Sequence, residues 1–230
     1  GDNTLFMFSS DHGSQWPFGK WNLYDEGIRV PMIVVWPGPI SPGSRTTAMV
    51  SWVDIFPTLL DLVHVKQPAG LDGRPFTDVL MGKTHEHRSL IFTTQSGDGR
   101  MNVYPIRSVR DQRYKYIMNL LPHCYHTNHS DILRKDGAGA YWDSWDVLAR
   151  TDERAKALVD RYYVRPAEEF YDLQSDPFEQ NNLADQPASQ ERKRAMKETL
   201  LAWMVKQGDK KTVFNTPYPV TKPKPRKKDF

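Results

Sequence analysis

The sequence predicts an α/β protein continued by a small antiparallel β-sheet subdomain packed on a C-terminal helix. Three observations carry this. Two unbroken apolar runs, residues 5–8 and 30–36, have the character of strands covered on both faces. Trp52, Ile55, Phe56, Leu59, Leu60 and Val63 recur at helical spacing. Beyond residue 85 the pattern shortens into strands separated by tight turns, which reads as a meander.

Each element follows in order. A strand over 4–10 runs into a polar loop, 11–28, and a second strand over 30–36 stops at Pro37-Gly38-Pro39. The helix over 51–63 contains Pro57, which a helix tolerates in its first turn if Asp54 caps the start. Its apolar stripe is expected to be core. Strands follow at 89–94, 106–110 and 114–118, the last two paired across Asp111-Gln112-Arg113. Residues 143–163 read as helix, 169–173 as a strand ending at Asp176-Pro177, and 187–206 as a final helix. That last helix buries Met196, Leu200, Trp203 and Met204 and is stopped by Gly208. The expected division is 1–85, 86–209 and a basic, Pro-rich tail, 210–230.

At 230 residues, 39% hydrophobic and 26% charged, the chain is long enough to bury a core. No run reaches bilayer-spanning length and no signal-peptide pattern opens the sequence. Five basic residues and one acid in 222–230 account for the net charge of +3 and leave the body near neutral, so neither a nucleic acid nor a membrane is expected as partner. The tail reads as a disordered, solubilising arm. The single cysteine, Cys124, excludes an internal disulfide.

The chemistry concentrates after the first strand, in Asp11-His12-Gly13, Lys20 and Glu26-Gly27-x-Arg29-Val30-Pro31. A carboxylate, an imidazole and an ammonium in one loop at the carboxyl end of a strand suit an anionic, oxyanion-type substrate. Two readings stand for each residue. Asp11 is a hard oxygen ligand or a turn cap. His12 is a ligand or a hydrogen-bond donor to an oxygen of the bound anion. Lys20 is an anion-binding point charge or a solvated loop lysine. Arg29 is expected to support the site through an ion pair. Gln95, Asp98 and Arg100, in a Gly-rich loop after a strand, form a substrate-binding wall or a hairpin turn. The run His123, Cys124, His126, His129 and Asp131 has a metal-like look, but structural zinc sites pair two separated clusters, and a polar rim is the preferred reading.

The first motif, with Phe170-Tyr171-Asp172-Leu173-x-x-Asp176-Pro177-x-Glu179-x-x-Asn182-Leu183-Ala184, closely resembles the type I sulfatases of the alkaline-phosphatase-like superfamily. Tyr104-Pro105-x-Arg107-Ser108-Val109 and Asn22-Leu23-Tyr24 are most similar to the sulfamidase (heparan N-sulfatase) branch. The resemblance implies the C-terminal part of an alkaline-phosphatase-like sheet in residues 1–85. It implies that Asp11 and His12 hold a divalent cation, usually Ca²⁺, and that Lys20 binds the sulfate of a sulfated carbohydrate such as a glycosaminoglycan. It also implies a formylglycine nucleophile made from Cys or Ser in a Cys/Ser-x-Pro-x-Arg context. Cys124 sits in His-Cys-Tyr-His-Thr and no serine fits, so the nucleophile is expected on an N-terminal half, and the chain alone is expected to show no turnover. Partners implied are that half or a second copy, and the compartment implied is periplasmic, secreted or lysosomal. A phosphoryl or phosphonate hydrolase of the same superfamily, or a non-catalytic carbohydrate-binding or partner-assembling fragment, are the alternatives.

Overall fold

A computed structural model describes residues 3–134 and 139–229. In chain order the strands are β1 (Phe6–Ser9), β2 (Met32–Val35), β3 (Ile91–Gln95), β4 (Ile106–Arg110), β5 (Tyr114–Asn119) and β6 (Glu168–Asp172). The helices are α1 (Asp25–Ile28), α2 (Ile55–Leu62), α3 (Thr77–Leu80), α4 (His129–Leu133), α5 (Trp142–Leu148), α6 (Glu153–Tyr163) and α7 (Gln190–Lys206). The chain divides into two compact units, 1–11 with 31–91, and 12–30 with 92–230. Residues 12–30 thus group with the C-terminal unit. Among the described residues no helix is long and apolar enough to cross a membrane.

In the first unit β1 and β2 pair antiparallel, with Phe6 opposite Val35 and Phe8 opposite Ile33. These four residues share one face and are 58%, 48%, 48% and 52% exposed in that order. The expected two-sided burial of these strands is therefore corrected: nothing in the described chain covers that face. The same holds for the α2 stripe, where Trp52, Phe56, Leu59 and Val63 are exposed rather than core. Pro57 does lie in the first turn of α2, where its missing donor costs nothing. Asp54 stands just before α2, but contrary to expectation its side chain makes no capping hydrogen bond to that helix. Its fully buried carboxylate accepts from the backbone N–H of Ser51 and Arg74 and pairs with the guanidinium of Arg88, which ties the helix start to the 72–88 loop.

The second unit is built on the four-stranded sheet β3-β4-β5-β6. β4 and β5 pair antiparallel from Ile106↔Asn119 to Arg110↔Lys115. Their turn is set by Asp111, whose Oδ1 accepts from the N–H groups of Arg113 and Tyr114. One core cluster joins Tyr104, Ile106 and Ile117 of the sheet region to Leu23 and Tyr24 of the 12–30 loop. A second gathers Trp142, Val159, Tyr162 and Tyr163, and Phe18 packs against both. The single helix expected over 143–163 is two, because Asp152 restarts it by accepting from the N–H of Ala155. α7 buries Met196, Leu200 and Met204, stacks Trp203 on Phe92 (ring centroids 4.8 Å apart, planes 4° apart), and ends before Gly208 in the left-handed region.

The tail is not the free arm expected. Tyr125 N–H donates to Tyr218 O (2.7 Å), Val220 N–H to His123 O (3.0 Å), and Lys224 Nζ lies 3.4 Å from the centre of the Tyr163 ring. Prolines and aromatics between the basic residues give this segment apolar surface and a fixed backbone, and these dock it.

Candidate active site

The 12–28 loop is a folded object, not a flexible excursion. The Gly13 N–H donates to Gly27 O (2.9 Å), and the Lys20 N–H to Ser14 O (2.8 Å). A Cβ on Gly13 would lie 1.7 Å from Glu26 O, so only glycine permits this approach. Phe18 and Trp21 have φ of +64° and +66°, the sparsely populated left-handed region for side-chain-bearing residues. Gly19 and Lys20 are displayed between these two strained positions, which persist only where surroundings over-determine them.

Those surroundings are visible. Tyr24 OH donates to Glu169 Oε2 (2.6 Å), and Arg165 Nη2 to Asn22 Oδ1 (2.5 Å). Asp25 receives Lys115 Nζ and Arg110 Nη1, each at 2.5 Å, while its own N–H donates to Glu179 Oε2 (2.5 Å). Arg161 covers the Phe18 ring at 4.7 Å. Burial would raise the Asp25 carboxyl, but the Lys115 and Arg110 charges outweigh it and hold it below its ordinary value. Glu179 is moved the other way, upward, by its burial.

Asp11 is exposed and closes the first unit; His12 and Lys20, both half-buried, belong to the second. His12 Nδ1 lies 2.7 Å from Gly13 O. A carbonyl only accepts, so Nδ1 is the donor in this contact. Arg29 is exposed and makes no side-chain ion pair among the described residues; the pairs that hold the loop fall on Asp25 instead. In the Gly-rich loop, Gln95 O accepts from Arg107 Nη1 (2.9 Å), and Asp98 N–H donates to Asn102 O (2.7 Å). Asp98 and Arg100 are exposed at its tip. The tail spans this tip, with Asn215 Nδ2 donating to Gly99 O (2.8 Å) and Tyr218 OH to Arg100 O (2.6 Å).

The His-rich run separates into unlike surroundings. His123 is exposed, while His126 is fully buried between the edges of Tyr104 and Tyr162, and burial depresses its basicity. Asp131 caps α4 by accepting from Asn128 N–H (2.6 Å). Burial raises its carboxyl to about 7. His129 stacks on Trp21, with ring centroids 5.2 Å apart. No group of three or more potential metal ligands gathers among the described residues.

Sequence reasoning missed Lys115, Glu179 and the Trp21–His129 stack. Lys115 shares its strand face with Ile117, and a lysine in register with an apolar residue signals a buried charge. Glu179 was visible in the second motif without a role. Nothing in the sequence pairs Trp21 with His129.

A family model described as N-sulphoglucosamine sulphohydrolase, C-terminal, matches residues 12–130, just over half of the chain. An ulvan-active sulfatase of Formosa agariphila is 34% identical over 210 residues, covering 90% of this chain and 39% of that one. The human N-sulphoglucosamine sulphohydrolase is 27% identical over 221 residues, covering 88% and 41%. The chain thus spans about two fifths of the length of these relatives. The fold is shared with a putative sulfatase from Bacteroides thetaiotaomicron, at TM-score 0.66 and 20% identity over 98% of this chain and 43% of that one. With the Asp-His-Gly loop, its lysine and the antiparallel subdomain in place, the chain belongs to the sulfatases, in the N-sulphoglucosamine sulphohydrolase C-terminal family.

Proposed function

We propose that this chain is the C-terminal part of a sulfatase that hydrolyses sulfate esters or N-sulfates of carbohydrate, with Lys20 binding the sulfate. The observation that supports this is the construction of the 12–28 loop, which presents one ammonium group between two left-handed residues and is pinned from behind by Glu169, Lys115 and Arg165. An ammonium is a compact point charge, suited to a sulfuryl oxygen whose charge changes as the bond to sulfur breaks. Similarity to an ulvan-active sulfatase and to N-sulphoglucosamine sulphohydrolase supports a sulfated carbohydrate as substrate class. A periplasmic, secreted or lysosomal compartment goes with this reading.

Asp11 and His12 are the residues that would hold a divalent cation. The donor chemistry fits one, since a carboxylate is a hard oxygen ligand and an imidazole is a common metal ligand. Ca²⁺ is the ion the resemblance implies; the imidazole favours a softer ion such as Mn²⁺ or Zn²⁺. When bound, the cation supplies Lewis-acid polarisation of the sulfate oxygens. Gln95, Asp98 and Arg100 serve as the wall that meets the sugar.

The nucleophile of this reading, a formylglycine, lies on an N-terminal sulfatase half, and the exposed face of Phe6, Phe8, Ile33 and Val35 is the surface that half covers. Co-expression with such a half tests the reading. Sulfate release from an aryl sulfate and from glucosamine N-sulfate is expected for the pair and not for the chain alone. Release that survives Lys20→Ala, or a preference for phosphate monoesters over sulfate, overturns it. Light scattering of the chain alone is expected to show association through the apolar face, and a clean monomer counts against that surface.

A further inference from the structure

We infer that Trp21 and His129 are positioning residues for Lys20, and that the His129 imidazole sets the orientation of the indole over which the Lys20 ammonium rests. The inference rests on the reading of Lys20 as the anion-binding residue. Lys20 Nζ lies 4.7 Å from the centre of the Trp21 ring. The His129 ring is stacked on the same indole at 5.2 Å between centroids and 28° between planes. An ammonium on a flexible four-carbon stem has many rotamers, and an aromatic quadrupole selects those that place the charge over the ring. The indole is itself restricted, because its backbone occupies the left-handed region at φ +66°.

His129 is held independently of Trp21. Its neighbour Asn128 caps α4, with Oδ1 accepting from Ser130 N–H (2.9 Å) and Nδ2 donating to Tyr162 OH (2.6 Å). Ser130 Oγ accepts from Gln15 Nε2 of the lysine loop (3.3 Å), and Thr127 Oγ1 donates to Met101 O (2.7 Å). The segment 127–130 therefore bridges the lysine loop and the Gly-rich loop. This gives His129 of the His-rich run a role that needs no metal: it fixes the platform that aims Lys20.

The test is made on the full chain with ¹³C-labelled lysine, assigning Lys20 by Lys20→Arg. The Lys20 ε-methylene protons are expected upfield of the other lysines through the indole ring current. That shift is expected to vanish in Trp21→Leu, persist in Trp21→Phe, shrink in His129→Ala and return in His129→Phe, which restores a stacking ring. Titration with sodium sulfate is expected to show binding weakened about twofold to thirtyfold by Trp21→Leu, and the same substitution is expected to have no further effect in a Lys20→Ala background. A Lys20 shift indifferent to both Trp21 and His129 overturns the inference. So does a sulfate loss from Trp21→Leu that is equally large without Lys20. If sulfate perturbs no variant while the ring-current pattern holds, the fault lies with the anion-binding reading, and positioning for it falls with that reading. The Trp21→Phe and His129→Phe variants separate positioning from a failure to fold.

Discussion

Lys115 Nζ lies 2.5 Å from Asp25 Oδ1, so a fully buried ammonium on β5 holds the carboxylate that begins α1. The same ammonium stands 2.8 Å from Glu179 Oε1. One cation thereby joins the lysine loop, the central sheet and the Asp-Pro-x-Glu motif. Removing it by Lys115→Met deprives the carboxylates of Asp25 and Glu179 of the cation they share. A loss of about 3–5 kcal/mol is expected, read from urea unfolding. Arg110 remains beside Asp25, so Glu179→Gln in the Lys115→Met background is expected to recover part of that loss.

The pH profile of stability is expected to have two limbs. Asp131 is fully buried, and burial raises it from 3.8 to about 7. The folded state then binds a proton that the unfolded state releases, so this contribution is complete below about pH 3.8 and is lost as pH rises toward 7. Asp131→Asn keeps an oxygen to cap α4 and is expected to remove that loss, flattening the unfolding temperature between pH 4 and 7. Glu168 works in the opposite sense. Burial would raise it, but hydrogen bonds from Lys197, Tyr116 and Lys193 bring it down to about 2. Its contribution is present above about pH 4.5 and is lost as pH falls toward 2, and Glu168→Gln is expected to blunt that acid limb.

Gly13→Ala places a methyl group against the Glu26 carbonyl and must break the Gly13–Gly27 hydrogen bond. Overpacking against backbone costs about 1–3 kcal/mol. Increased amide exchange confined to residues 12–28 and weaker sulfate binding are expected, with the β4–β5–β6 sheet unchanged.

Deleting residues 214–230 removes the two side-chain donors that Asn215 and Tyr218 give to Gly99 O and Arg100 O. Each such bond contributes about 0.5–1.5 kcal/mol. Amide exchange is expected to accelerate in the 97–102 loop, several-fold or more. A chain whose loop protection survives the deletion shows that the strap is incidental.

Much of this was legible in the sequence, for local reasons. The β4–β5 hairpin followed from Asp111 at its turn, whose side chain satisfies the next amides. α7 followed from an apolar stripe and a terminal glycine. The glycine of the Asp-His-Gly turn has a local reason too, since a side chain there would meet the Glu26 carbonyl. The α2 stripe misled for an equally physical reason: periodicity reports which face is apolar, not whether the described chain supplies anything to cover it.

By itself, then, the sequence determined the order of the elements, the turn chemistry and the family to which the lysine loop belongs, since each depends on neighbours close along the chain. Only the tertiary structure decided that the loop joins the C-terminal unit, that Lys115 and Glu179 hold it, that the tail is a strap, and that His129 meets Trp21. Those relations join residues from 90 to 154 positions apart. Charge burial and ring stacking are set by that closure in space, which no local pattern encodes.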